Sequence, residues 1–307
     1  TLDERLIGRR LAAHRIERLE PGSEQRVIRR LAAECDWTLV IAPEFDGILL
    51  DRVRTVEEAG GRLLGPSSSA VAATADKFAC GRLLEQAGVP AVVGQVVNPR
   101  NLRSGTLSVT FPAVLKPRDG AGSQNTFLIR DATSVDGVLR EAVAGGLTGE
   151  ALLQPFVPGL PASVSLLIGS AGAVPLLAGE QMLSNNGRFT YLGGRLPLEP
   201  EFARRAVALA SQAVTAVPGL RGYVGVDLVL GLDNLKSQIS DHKIQPRDTV
   251  IEINPRFTTS YVGLRTLARC NLAQRMLAVS EGQTPQDIDW LPGTVRFWAD
   301  GRLAYYR

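Results

Sequence analysis

Apolar residues in this chain repeatedly change spacing, and each change marks an element. Residues 25–35 put Val27, Ile28, Leu31 and Ala32 on one helical stripe, and the apolar run Trp37–Ala42 predicts a buried strand. A helix over Ile48–Ala59 then leads to a short strand Arg62–Leu64 and the turn Gly65-Pro66-Ser67. Ahead of these, Arg5, Arg9, Arg10, Arg15 and Arg18 are interleaved with Glu4, Glu17 and Glu20, the pattern of a solvated helix face. The first strand of such an α/β lobe normally comes earlier, so the chain is expected to begin inside the domain.

Beyond the turn the pattern is mixed. Asp76–Gly88 reads as a helix closed by glycine, and Val89-Pro90 opens a strand. Two apolar strands between Phe111 and Arg130 flank Lys116-Pro117-Arg118-Asp119-Gly120-Ala121-Gly122-Ser123. A helix Ser134–Ala144 precedes strand Ala151–Val157, which stops at Pro158-Gly159. Several strands to about Leu192, a helix Glu201–Val217 and a strand Gly222–Leu230 come next. The polar stretch Asp233–Asp248 leads to strand Thr249–Ile253, a helical region Val262–Ser280 and a short C-terminal hairpin. Strands that look antiparallel, mixed with helices, predict an α+β nucleotide site behind an α/β N-terminal lobe.

Composition narrows the class. At 307 residues, 45% hydrophobic and 21% charged, the chain has enough apolar material for two or three compact lobes. A net charge of +3, from 34 basic and 31 acidic residues, is too balanced to argue for nucleic acid. Cys35, Cys80 and Cys270 show neither zinc nor disulfide spacing, and His14 and His242 supply little for a histidine-based site. No apolar run approaches the ~18 residues of a membrane span. The expectation is a cytoplasmic protein, with no nucleic-acid or membrane partner and with a homodimer as an admissible assembly.

Five stretches carry candidate chemistry. In Val250-Ile251-Glu252-Ile253-Asn254-Pro255-Arg256, strand alternation puts Glu252 and Asn254 on one side and Ile251 and Ile253 in the core. Two oxygen ligands ~7 Å apart along a strand suit a hard cation that bridges phosphates. Asp227 lies in the apolar strand Gly225–Val229, where a carboxylate is costly unless paired with an arginine or bound to metal. Lys116 ends a strand just before Gly120, Gly122 and Ser123; such a turn is either a plain hairpin or a phosphate-covering loop. Lys77 follows the N-cap Asp76 into a first helical turn, where the macrodipole disfavours a cation, so it is either an exposed lysine or one with a ligand to meet. Gln154, Phe156 and Val157 precede Pro158-Gly159, as an ordinary strand end or as a hinge beside an adenine edge.

The order of these motifs closely resembles the ATP-grasp superfamily: Asp-Lys at a helix start, Lys-Pro-x-Asp-Gly-x-Gly-Ser, Gln-x-Phe-Val-x-Gly, Asp in an apolar strand, then Glu-x-Asn-Pro-Arg. The resemblance runs from about Gly65 to Arg256. It implies a nucleotide held between two α+β subdomains, with an N-terminal domain at 1–75, a lid subdomain at 76–157 and a C-terminal subdomain at 158–307. It implies ATP as cosubstrate, with phosphate contacts from Lys77 and Lys116, an adenine pocket of Gln154, Phe156 and Val157, and a lid loop containing Gly120, Gly122 and Ser123. Asp227, Glu252 and Asn254 would bind two Mg²⁺ ions, with Mn²⁺ as a substitute, and Arg256 would stabilise charge on an acyl phosphate. The implied activity is carboxylate–amine ligation, with small-molecule partners. Alternatives are another amino-acid or dipeptide ligase of the superfamily, or a nucleotide-binding regulatory module without catalysis.

One departure concerns the sugar. Relatives often carry an acid just after the hinge to hold the ribose; residues 155–165 contain none, and Pro155, Pro158 and Pro161 occupy the region, which leaves Glu180 as a distant candidate. Pro43-Glu44-Phe45-Asp46 and Gly65-Pro66-Ser67 are similar to a subgroup linked to one-carbon cofactor (methanofuran) biosynthesis, which implies glutamate and tyramine as substrates. In the turn Ser184-Asn185-Asn186-Gly187-Arg188, Arg188 either joins Arg195 in binding an amino-acid carboxylate or solvates a loop.

Overall fold

The computed structural model describes residues 16–17, 19–102, 108–120, 123–147, 149–232 and 247–307. Gly122, His14, His242 and the arginines at 5, 9, 10, 15 and 18 lie outside the described residues.

The N-terminal part packs two amphipathic helices, α1 (Glu24–Glu34) and α2 (Ile48–Glu58), around Ala32, Leu49, Val53, Val56 and Leu63. The run at 37–42 does not form a buried strand. It makes a single parallel bridge, Thr38 to Leu63, and leaves Leu39 exposed and Ile41 69% exposed. Its apolar composition suggested burial, but the described chain places no second neighbour along it.

Two further helices, α3 (Ser68–Ala75) and α4 (Lys77–Gln86), follow, with only Asp76 between them. Ser67 caps α3, accepting from the Ala70 N–H, and Asp76 caps α4, accepting from the Phe78 and Ala79 N–H groups at 3.0 and 3.1 Å. Each such cap contributes about 1 kcal/mol. The α3 helix links two cores: Val71 packs with the N-terminal helices, whereas Ala70 packs with the large central core.

A four-stranded antiparallel sheet forms the smaller lobe. Its order is β1 (Gln95–Val97), β4 (Ala151–Pro155), β2 (Ala113–Pro117), β3 (Phe127–Ile129), with α5 (Val135–Ala144) packed on β3. Leu115, Phe127, Ile129, Leu139 and Leu153 fill the space between sheet and helix. Although α4 was expected in this lobe, its Cys80 and Leu84 enter the core of the larger sheet instead.

That larger sheet has eight antiparallel strands. The path is β10 (Thr249–Asn254), β9 (Gly222–Leu230), β5 (Leu160–Gly169), β7 (Gly179–Leu183), β8 (Tyr191–Leu196), β11 (Thr294–Trp298), β12 (Leu303–Tyr306), with β6 (Gly172–Pro175) pairing the end of β5 on the edge away from β9. Helix α6 (Pro200–Thr215) covers one side through Ala206, Leu209, Ala210 and Ala213. The expected single helical region after Val262 is two helices, α7 (Ser260–Leu267) and α8 (Leu272–Ser280), because Ala268 leaves helical geometry and bridges to Trp290. The two lobes meet where Val92 donates to the Val250 carbonyl at 3.1 Å and Lys77 N–H to the Arg118 carbonyl at 3.0 Å.

Candidate active site

Strands β9 and β10 pair antiparallel, so Asp227 stands directly opposite Glu252 and Gly225 opposite Asn254. A β-bulge between Val250 and Glu252 breaks the alternation. Ile251, expected in the core, is half-buried and lines the cleft, whereas Ile253 is buried as expected. The extra residue brings Ile251 to the same side as Glu252, while Glu252 and Asn254 share the cleft face by ordinary alternation.

Asp227 accepts from Gln181 Nε2 at 2.8 Å and from Asn254 Nδ2 at 3.0 Å, so each of its oxygens has a donor. No arginine bonds it, which settles the arginine alternative for this residue among the described contacts. Burial, with the adjacent Glu252 charge, raises the Asp227 pKa well above the carboxylate range. Burial pushes Glu252 the same way, but the charges of Lys77, Lys116 and Arg256 outweigh it and hold Glu252 below its ordinary value. Two like charges side by side in a buried site are costly without a cation between them.

The cations come from three directions. Lys77 Nζ donates to the Gly120 carbonyl at 2.7 Å and lies 3.6 Å from Glu252, so it is not an exposed lysine. Lys116, at the end of β2, is only 6% exposed, and burial lowers its pKa to about 8 against the opposing pull of Glu252. Arg118 clamps both Asp76 oxygens, with Nε 3.0 Å from each, tying the end of β2 to the start of α4. Arg256, just past β10, donates to the Asn254 side chain at 3.3 Å and the Phe257 carbonyl at 3.1 Å. It also lies 3.4 Å from Glu44.

Apart from Arg118, Asp76 and Glu44, which stand behind it, these groups face one cleft of about 440 Å³ between the two sheets. Lys77, Lys116, Gly120, Ser123, Gln154, Phe156, Val157, Asp227, Glu252, Asn254 and Arg256 all line it. At the hinge end Phe156 stacks on Phe189, centroids 5.9 Å apart. The Phe156 N–H is bound to the Pro112 carbonyl at 2.9 Å, so as a hinge this residue does not offer its N–H to an adenine edge. Gly159 is required here: with φ of +155°, a Cβ would collide with the Leu230 carbonyl as the chain enters β5. At the opposite end, a Cβ on Gly225 would stand 2.6 Å from Thr258 Cγ2, so glycine lets the Thr258-Thr259-Ser260 loop lie beside the acids.

Three expectations are corrected. Glu180 pairs with Arg195 at 3.1 Å and does not line the cleft, so it is not placed to meet a ribose. The same pairing removes Arg195 as a carboxylate receptor. Arg188 is held by Glu141 and lies over the Phe127 ring at 3.8 Å, outside the cleft lining.

Sequence reasoning missed Gln181 and Tyr191, which line the cleft, and the contact of Glu44 with Arg256 behind it. Gln181 was legible in principle, because Gly179, Gln181 and Leu183 share one face of β7. Glu44 gave a weaker signal, an acid between Pro43 and Phe45 just before an Asp-Gly turn.

The site fits divalent metal. Among the described residues no group of three or more His, Cys, Asp or Glu side chains forms a complete cage. Two carboxylates and an amide oxygen are instead the partial, all-oxygen donor set that suits Mg²⁺, which keeps waters and phosphate oxygens for its other positions.

The fold and cleft define a nucleotide-handling ATP-grasp architecture. The family model described as an ATP-grasp domain matches residues 74–260, and the pre ATP-grasp 3 domain matches residues 1–71. The chain belongs to the ATP-grasp family. It is 28% identical over 234 residues to a tyramine–L-glutamate ligase of Methanocaldococcus jannaschii, covering 75% of this chain and 59% of that one. It is 27% identical over 248 residues to a formate-dependent phosphoribosylglycinamide formyltransferase of Rhodococcus jostii, covering 77% and 60%. The chain therefore spans about three fifths of the length of these relatives. Among solved structures, the ADP complex of an N5-carboxyaminoimidazole ribonucleotide synthetase superposes with a TM-score of 0.70 at 19% identity, over 89% of this chain and 67% of that one. No helix among the described residues is long and apolar enough to cross a membrane.

Proposed function

We propose that this chain is the ATP-binding and catalytic part of a ligase that joins a carboxylate to an amine through an acyl phosphate, releasing ADP and phosphate. The observation that carries the reading is the convergence in one cleft of three cations from separate elements, Lys77, Lys116 and Arg256, on the paired carboxylates Asp227 and Glu252.

In this reading Gln154, Phe156 and Val157 receive the adenine, and Lys77 and Lys116 meet the phosphates under the lid loop of Gly120, Gly122 and Ser123. Asp227, Glu252 and Asn254 hold Mg²⁺, two ions in the full complex. The metal supplies charge neutralisation between phosphate oxygens. The substrate carboxylate attacks the γ-phosphorus and ADP leaves; the amine then attacks the acyl carbon and phosphate leaves. Arg256 stabilises the oxyanion charge that develops in both steps, a preorganised contribution that needs no solvent rearrangement. The domain plan follows: an N-terminal domain at 1–75, a lid whose mobile part is the four-stranded sheet, and a C-terminal body carrying the metal and substrate end.

The proposed substrates are L-glutamate and tyramine, supported by the relatives named tyramine–L-glutamate ligase at 27–28% identity. The test is ADP release from Mg²⁺-ATP with L-glutamate, with and without tyramine, beside formate and a panel of amino acids and amines. Release requiring glutamate and tyramine together supports the full reading. Release with another pair keeps the ligase and discards these substrates. AMP in place of ADP, or no release with any pair, overturns it.

A further inference from the structure

Arg256 is held by three acceptors, and they are not equivalent. Asn254 is two residues before it and Phe257 one residue after, so both belong to the strand end that carries the arginine and move with it. Glu44 alone comes from elsewhere, 212 residues away in the N-terminal part, with Oε2 at 3.4 Å from the Arg256 side chain. The backbone around Glu44 is built to hold it: Leu49 N–H closes onto the Pro43 carbonyl at 3.0 Å, and Asp46 and Gly47 both turn through left-handed conformations, φ 55° and 68°.

The Glu44 side chain is 5% exposed, and Arg256 is its only hydrogen-bond partner among the described residues. Glu44 Oε1 and Arg256 Nε are both buried without a partner. Such a pair is a poor source of stability, because an apolar replacement of similar volume would avoid the desolvation of both groups. Nor does Glu44 line the cleft, so it does not touch a ligand directly. What remains is orientation. A guanidinium tethered only to its own strand end keeps its freedom relative to the N-terminal lobe, and Glu44 removes that freedom.

We propose that Glu44 is a positioning residue, reaching from the N-terminal lobe to set the plane of the Arg256 guanidinium over the reacting end of the cleft. The proposal rests on the reading of Arg256 as the group that stabilises charge in the ligase reaction. It assigns to the N-terminal lobe a part in the chemistry: the catalytic arginine is in place only while that lobe is docked.

The first measurement needs no substrate. In the full chain labelled with ¹⁵N, the Arg256 Nε–H resonance is assigned by its loss in Arg256→Lys. Glu44→Gln, nearly isosteric, is expected to shift that resonance and to speed its exchange with water at least tenfold, with Glu44→Asp in between. An unchanged resonance in Glu44→Gln overturns the proposal whatever the activity. The second measurement uses turnover with the pair that supports it in the wild type. Glu44→Gln should lower kcat at least tenfold with KM for ATP within twofold and the thermal unfolding transition retained. In an Arg256→Lys background the same substitution should cost less than twofold. Equal losses in both backgrounds would mean that Glu44 does not act through Arg256, and would overturn it. A wild type that turns over no pair defeats the ligase reading, and the resonance comparison still decides whether Glu44 sets Arg256.

Discussion

The floor and the roof of the cleft are built on different principles. The floor is central sheet: Asp227 and Glu252 face each other on β9 and β10, and Gln181 on β7 and Asn254 on β10 both donate to Asp227. These atoms are fixed by strand pairing and bonded across the sheet. The roof is the smaller sheet, tied at its base by the Val92–Val250 and Lys77–Arg118 bonds and at its far side by exposed contacts. Arg188 reaches Glu141, side chains 33% and 63% exposed, and the Leu128 N–H donates to the Gly187 carbonyl at 2.8 Å. The difference teaches where each job sits. In the proposed reading, charge is preorganised on the paired strands of the larger sheet, and access is left to the exposed contacts of the smaller one.

Breaking the floor should therefore have the largest effect on rate and little on fold. Asp227→Asn and Glu252→Gln are each expected to lower ADP release by ~10²–10³-fold, of the order found when one preorganised charge-stabilising group is lost. Stability should move the other way for Asp227→Asn. Burial and Glu252 disfavour its charge in the folded chain, so the neutral amide should raise the thermal midpoint. Turnover within threefold of wild type would end the assignment of these acids to metal.

Glu44 makes the same contrast measurable by pH. Burial raises its pKa from 4.5 to about 7, more than the nearby Arg256 charge lowers it. The folded state therefore binds a proton that the unfolded state has lost. Stability from this group is complete below pH 4.5 and drains away as pH rises through 7, a change of about 3 kcal/mol. Urea unfolding between pH 5 and 8 should show a slope in the wild type that Glu44→Gln reduces by the Glu44 share, with the fall contributed by Asp227 left in place. An identical slope in both proteins would place the titration elsewhere.

Lys116 belongs to both regions, standing on the smaller sheet and pointing toward the acids of the larger one. Lys116→Met is expected to weaken Mg²⁺-ADP binding by about ten- to a hundredfold, or 1.4–2.8 kcal/mol. Because burial holds the free lysine at a pKa of about 8, wild-type affinity should lose this contribution as pH rises above 8, where the ammonium is lost before phosphate can bind it. The methionine variant should show no such fall. A calorimetric titration at pH 7, 8 and 9 reads both, and matching pH profiles would count against the contact.

How much of this could be read from the sequence follows the same division. The floor was legible because it obeys local rules: a lone acid in the apolar run of β9, and Glu252 and Asn254 two residues apart on a strand, announce their shared face before any coordinates. The bulge at Ile251 was not legible, since it depends on how β10 registers against β9. The Asp76 cap and the position of Lys77 followed from helix-start chemistry. Partners that are distant in sequence were invisible. Nothing local indicates that Glu44 meets Arg256 or that Arg195 is spent on Glu180. The run at 37–42 failed for the complementary reason: composition reports a preference for burial, and only the neighbouring chain decides whether burial is supplied.

The smallest expected effect is at the contact by which Arg188 of the larger lobe meets the smaller one, the proposed lid. Arg188 pairs with Glu141 on α5 and lies 3.8 Å over Phe127 of β3, while the next residue, Phe189, stacks on Phe156 at the hinge. An ion pair this exposed contributes at most about 1 kcal/mol, and the cation–π contact roughly as much again before overlap between them is counted. Arg188→Ala should therefore leave the thermal midpoint nearly unchanged and alter nucleotide binding by less than about tenfold. The direction is informative because the clasp joins the two sheets without touching the charged floor. If it holds the lid shut over nucleotide, its loss should speed Mg²⁺-ADP dissociation more than it slows association. Added salt should then narrow the gap between wild type and variant, since screening removes the ion pair from the wild type too. Equal dissociation rates at low salt would mean that the contact is ornamental and that the lid is governed by Lys77 and the Gly120 carbonyl instead.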